Sequence, residues 1–327
     1  MAAPRRAALA LTLGLVALGP ASPAAAAPTE VHTGVYAYAL SGLDFQAGTF
    51  RFDGYLWFRW RCAELDAGGL DFALINGEVD DLDDAPVTEA DGRCRQSRRL
   101  RATMRADFRL RDYPFDAQVL PIVVEHRRYG ADRLVFVADD GAIPPGKSAR
   151  EAFLARDLDV HQWQVLEVRH GVADHAYETD FGSIERGAWD GASSRYRFEV
   201  TIARPFFPYL LKVVLPLLII VGMAFLSFAI RPQRFDSKVS LLVTALLSTV
   251  ALHLTQSSAL PEVGYLVRAD IFFLISYAAL GASLVLVTLE HRRSEADEID
   301  GPSRALPWAR AAVIGGFVLA IVVVAAM

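Results

Sequence analysis

The sequence contains no metalloprotease His-Glu pair, no nucleophile elbow and no phosphate-binding loop, so an enzymatic reading finds no residues to act through. No catalytic residue, cofactor or resident metal is expected. Cysteine is scarce: Cys62 and Cys94 are the only two in 327 residues, too few for a disulfide-built scaffold or a cysteine zinc centre. Between Val31 and Ala203 no sustained helical period occurs, which argues against a helical soluble part. No nucleic-acid partner is expected. What is abundant is apolar side chain, at 53% of the chain with a mean hydropathy of +0.27. That is too apolar for an ordinary soluble protein and too charged for one wholly in lipid, so one water-soluble and one lipid-embedded part are expected.

The start of the chain supports export. Arg5 and Arg6 precede an apolar run from Ala7 to Gly19, then Pro20 and an alanine-rich stretch ending Ala24 to Ala27. This pattern predicts a signal peptide over residues 1–26, cut after Ala26; the run is short for an uncleaved membrane anchor. Cys62 and Cys94 then lie in an oxidising compartment, either as a disulfide or as two separate buried thiols.

Over residues 28–204, short alternating runs broken by Gly, Pro and Asp predict an immunoglobulin-like β-sandwich. Strands are expected at Val31–Leu40, Thr49–Trp60, Leu100–Leu110, Gln118–Glu125, Arg133–Val137, Asp159–Arg169 and Arg195–Ile202, with surface loops at Glu78–Asp91 and Asp174–Ser194. After Pro205 the character changes. Residues 205–327 hold four candidate membrane helices, at about 206–230, 237–258, 269–290 and 308–327. Arg231, Arg234 and Lys238 separate the first two, and Arg292, Arg293, Arg304 and Arg310 the last two, whereas Arg268 stands nearly alone on the other side. The basic loops are therefore cytoplasmic, and the sandwich and Met327 lie outside a plasma (inner) membrane crossed several times.

The second span is long enough to cross a bilayer, yet it is laced with hydroxyls. At helical spacing Asp236, Ser240, Thr244, Leu247, Ala251, Leu254 and Ser258 share a face, with Val239, Leu242, Val243, Leu246, Val250 and Leu252 on the others. A carboxylate and hydroxyls facing lipid are costly, so this face lines either water or protein. Several copies around an axis would enclose a pore; the alternative is Ser/Thr packing inside a monomeric bundle.

The segment Tyr113-Pro114-Phe115-Asp116-Ala117-Gln118 resembles the aromatic-Pro-x-Asp loop of the pentameric ligand-gated ion channels, the Cys-loop receptor superfamily. Gly34 to Phe50, Arg204 at the head of the first span, Pro216 within it and Leu260-Pro261 after the second extend the resemblance over nearly the whole mature chain. Asp107 and Leu120 stand where the animal receptors have their signature cysteines, and the linker from about Glu290 to Trp308 is short, so the likeness is to the prokaryotic branch.

The resemblance implies a homopentamer in the lipid bilayer, with each pore-face residue repeated as a ring. A ring of Asp236 would favour monovalent cations, unless Asp236 serves only as a helix cap. Leu247, Ala251 and Leu254 would form a hydrophobic gate. Lys238 points away from the axis or pairs with an acid of a neighbour. Asp44, Asp116 and Arg204 are expected to converge where sandwich meets membrane, with Tyr113, Pro114 and Phe115 beside them and the turn from Leu260-Pro261 to Tyr265 opposite. An unknown small ligand would bind under the hairpin Gly171–Ser194, with Tyr177, Phe181 and Trp189 as aromatic candidates. The stretch Phe72–Glu78 lacks the Trp-x-Pro of the family's first binding loop, which argues against an amine agonist. His253, off the pore face, reads as a packed or hydrogen-bonded side chain, with proton sensing as the alternative. His161, His170, His175, Asp174 and Asp180 show no tight metal-ligand spacing. The implied function is a ligand-gated, cation-selective channel opened by a small molecule or protons. Its rivals are a non-conducting periplasmic receptor anchored in the membrane and an anion-permeable member of the family.

Overall fold

The computed structural model describes residues 27–65, 69–158, 160, 163–179, 191–231, 234–258, 260–296 and 305–326. The expected signal peptide lies outside the described residues.

Alternation builds the first part. In β2 (Thr49–Arg61), Phe50, Phe52, Leu56, Phe58 and Trp60 are buried, while Arg51, Asp53, Tyr55, Trp57, Arg59 and Arg61 turn the other way. β2 lies between β1 (Thr29–Asp44) and β6 (Arg93–Arg105), with β4 (Gly77–Leu82) and β5 (Thr88–Ala90) on β6 and β8 (Leu134–Ala138) parallel to β1. The second sheet runs β3 (Phe72–Leu74), β7 (Ala117–His126), β10 (Ala192–Ala203), β9 (Gln164–Ala176). Tyr196, Phe198, Val200 and Ile202 of β10 meet Phe50, Phe52, Leu56 and Phe58 in the core between the sheets. Gly34 is needed in β1 because the Trp57 ring lies over it: a Cβ there would stand 2.1 Å from the indole. A short helix, α1 (Ala149–Phe153), opens on a capping box between Ser148 and Glu151.

The sandwich departs from its sequence expectation in three places. Glu78–Asp91 is not a plain loop but contains β4 and β5. Its acidic residues pair with the arginines of β6: Glu78 with Arg105 at 2.9 Å and Asp81 with Arg101 at 3.2 Å. The third long strand occupies Arg93–Arg105 rather than Leu100–Leu110, and β9 begins at Gln164 and continues to Ala176.

Four helices follow that are long and apolar enough to cross a membrane: Phe206–Ala229, Phe235–Ser257, Arg268–Glu295 and Pro307–Ala325. The first comprises α2 (Phe206–Tyr209), a π turn at Leu210–Val214, α3 (Leu215–Phe225) and a 3-10 turn at Leu226–Ala229. The π turn ends where Pro216, lacking an N–H, cannot continue the ordinary hydrogen-bond ladder. The others are α4 (Phe235–Ser257), α5 (Arg268–Ala296) and α6 (Ala305–Ala326). An upper apolar cluster joins Val213, Leu217, Phe272, Phe273 and Phe317 to Leu110 and Tyr113 of the sandwich; a lower one joins Ala224, Phe228, Leu242, Ala245 and Val287.

Candidate functional site: the α4 face and the junction beneath the sandwich

α4 presents two opposed faces. Lys238, Leu242, Ala245 and Thr249 are buried against the bundle. Asp236, Ser240, Thr244, Leu247, Ala251, Leu254 and Ser258 are all exposed, Leu247 and Leu254 by 64% and 65%. The helix satisfies its own hydroxyls: Thr244 donates to the carbonyl of Ser240 at 2.8 Å and Thr255 to that of Ala251 at 2.9 Å. Asp236 is not the cap. Arg234 holds that position, no side chain caps the helix, and Asp236 stands in the first turn, where the positive end of the helix dipole favours a carboxylate.

Lys238, expected to point away from the axis or to pair with an acid of a neighbour, turns into the bundle of its own chain and finds an acid there. Its ammonium is buried and lies 2.9 Å from Glu290 of α5, whose side chain is 2% exposed. The second oxygen of Glu290 accepts from Nε of Arg310 on α6, and Arg310 also donates to the carbonyl of Phe228 at 3.1 Å. One carboxylate thus links α4, α5 and α6 at the cytoplasmic end.

At the opposite end, Arg204 leaves β10 and enters a box. Its guanidinium lies over Trp163, Tyr113 and Phe45, with centroids at 4.3, 4.9 and 5.3 Å, and its Nε is 3.3 Å from Asp116. Asp116, 1% exposed, is steadied by a hydrogen bond from Gln118. Burial holds the Tyr113 hydroxyl above its ordinary pKa, despite the opposing charge of Arg204. Asp44 does not join this cluster as expected. Its carboxylate accepts from the N–H groups of Gln46 and Ala47, both at 2.9 Å, and so closes its own hairpin.

The Tyr113 loop contacts α5 directly. The carbonyls of Arg111 and Tyr113 accept from the backbone N–H groups of Arg268 and Ala269, both at 2.9 Å, which satisfies donors left open at the start of α5. Arg268 also pairs with Asp112 at 3.4 Å, and Phe115 stacks on Phe206 of α2 at 5.1 Å. Pro261 is half-buried in the turn between α4 and α5, flanked by Leu260 and Val263, which pack on the upper cluster. Tyr265 accepts from the N–H of Leu110 at 3.4 Å. Near the same end, His253 stacks on Phe273 and contacts Tyr277 at 3.1 Å and Asp270 at 3.3 Å.

Of the ligand candidates, Tyr177 is engaged elsewhere: its hydroxyl donates to Glu125, at 2.9 Å to the nearer oxygen, and accepts from Arg195 at 3.1 Å. Burial, then the Glu125 contact, pushes its pKa up. Phe181, Trp189, His161 and Asp180 lie outside the described residues. His170 sits between Asp140, at 3.0 Å, and the hydroxyl of Tyr196, at 3.3 Å, within a polar path across the sandwich. Cys62, in the turn just after β2, and Cys94 of β6 are joined by a disulfide, Cα to Cα 5.1 Å.

No family model matches the chain. Over 293 residues, 84% of its length, it is 23% identical to a proton-gated ion channel of Gloeobacter violaceus, spanning 76% of that protein. It is 25% identical over 195 residues to the pH-sensitive chloride channel 2 of Anopheles gambiae and 23% over 191 residues to that of Drosophila melanogaster. These matches cover only 30% and 34% of the insect channels' own length. A β-sandwich followed by four helices long and apolar enough to cross a membrane, with such relatives, defines a multi-pass membrane protein whose N-terminal domain faces outward. These relatives accord with the likeness of its motifs to the pentameric ligand-gated ion channels.

Proposed function

We propose that this chain assembles as a homopentamer in which α4 from each subunit lines a cation-selective pore opened by extracellular protons. A signal peptide over residues 1–26 is removed, residues 28–204 receive the signal, and residues 205–327 form the pore domain. The observation that carries the reading is the exposed α4 face, which runs from Asp236 through hydroxyls to Leu247 and Leu254 while the opposite face is packed. An amphipathic helix of this kind in a membrane needs copies of itself around water. The Asp236 ring concentrates cations at the mouth, because its field persists over about a Debye length, roughly 8 Å at physiological salt. Protons are favoured as the signal by the names of the relatives, proton-gated in one case and pH-sensitive in two. The engagement of Tyr177 with Glu125 and Arg195 argues against an aromatic cage at that position.

A second reading, an anion-permeable channel, draws on the chloride channels among the relatives. Purified protein in lipid vesicles, stepped from neutral to acidic external pH in a sodium chloride gradient, separates the two. A cation-directed reversal potential that shifts toward chloride in Asp236→Asn is expected. A chloride-directed wild type overturns the selectivity. No current at any pH overturns proton gating, and no conductance under any stimulus would favour a non-conducting receptor.

A further inference from the structure

We propose that Glu290 is a specificity-determining residue of the channel: it keeps the ammonium of Lys238 inside the helix bundle, so that α4 offers the cytoplasmic mouth only the charge of Asp236. The proposal rests on the cation-selective reading above. α4 carries two full charges near its start, Asp236 and Lys238. If both side chains reached the mouth, opposite signs so close together would largely cancel there. A helix turns about 100° per residue, so positions two apart lie on nearly opposite faces. The structure follows this rule, with Asp236 exposed and Lys238 buried.

Helical position alone does not keep an ammonium buried. Lysine has a long flexible stem that carries its charge to the nearest water, and a buried charge without a partner is costly. Glu290 supplies the partner at 2.9 Å, from a site as closed as that of Lys238 itself. Among the described residues Lys238 has no other acidic partner. The same carboxylate also serves Arg310, which has a further acceptor in the Phe228 carbonyl. With the charge of Glu290 removed, Arg310 retains that acceptor, whereas Lys238 is left among the described residues with no anion to balance its buried charge, so its ammonium moves toward the water at the mouth. Arg234, exposed just ahead of α4, is a constant background in every variant.

The test uses reversal potentials and single-channel conductance of the reconstituted full-length channel under conditions that open it. Glu290→Gln should raise relative chloride permeability several-fold and lower cation conductance. Adding Lys238→Met to Glu290→Gln should restore both, since no ammonium remains to reach the mouth. Lys238→Met alone should match the wild type in both measures, and it leaves Glu290 paired with Arg310 even where Glu290→Gln does not assemble. A rise in cation selectivity or conductance in Lys238→Met would place the ammonium in the pore and overturn the proposal. So would a selectivity change in Glu290→Gln that the second substitution leaves in place. A wild type that prefers chloride sinks the underlying reading instead, and the conductance of Lys238→Met still reports where the ammonium stands.

Discussion

Arg204 combines two attractions in one side chain, to the Asp116 carboxylate and to the faces of Trp163, Tyr113 and Phe45, at the point where the backbone leads into α2. Arg204→Lys keeps the charge but loses the flat guanidinium that stacks on the rings. With each cation–π contact worth about 0.5–2 kcal/mol, the substitution should shift the half-activating stimulus about tenfold or more. Currents normalised to surface expression would check it, an unchanged activation curve being the contrary result. His126 makes a different demand. Its Nδ1 accepts from the N–H groups of Arg128 and Tyr129, at 3.0 and 2.9 Å, which requires an unprotonated nitrogen. Burial pushes its pKa from 6.5 to about 4. Between those values the unfolded chain binds a proton that the native fold refuses, so stability is complete above pH 6.5 and is lost as pH falls toward 4. His126→Gln should flatten thermal stability across that window, by on the order of 2 kcal/mol between its ends. Arg204 and Asp116 were legible in the sequence through the Tyr113-Pro114-Phe115-Asp116 motif. Phe45 and Trp163 were not, because two aromatics distant along the chain carry no local sign that they share one guanidinium. Asp44 was misjudged for a related reason: a carboxylate after a strand reads equally as an ion-pair partner and as a turn cap.

At the level of elements, alternation located β1, β2, β7 and β10, and hydropathy located the four membrane-crossing helices. β4 and β5 were missed because Glu and Asp disfavour strands in isolation; the arginines of β6 that pair with them act across the sheet, beyond any local pattern. α4 was legible for the opposite reason, since Asp236, Ser240, Thr244 and Ser258 recur at helical spacing within an otherwise apolar span. Leu247 is the most informative position on it: apolar, 64% exposed in the single chain, and midway along the hydroxyl-bearing face. Leu247→Ser lowers the cost of wetting a closed constriction, so resting leak should rise and less acid should be needed for opening. Unchanged leak and unchanged pH dependence would place the constriction elsewhere.

For the molecule as a whole, the proposed pore requires several copies of the exposed α4 face around one axis. Native mass spectrometry in mild detergent with lipid should return a pentamer, and monomers or dimers alone would contradict the assembly. The Cys62–Cys94 disulfide adds a consequence at this scale. The bridge spans a sequence separation of 32 and removes loop freedom from the unfolded chain, worth about 3 to 4 kcal/mol in the chain-entropy account. The whole net stability of a domain is only a few times that. Cys62→Ser with Cys94→Ser should therefore lower the melting temperature and yield of the exported protein. The same sandwich held where thiols stay reduced would face the same deficit without any mutation. Address and architecture are then mutually dependent: the sandwich reaches full strength only after leaving the compartment that made it, so a subunit retained in the cytoplasm is weakened before it can join a ring.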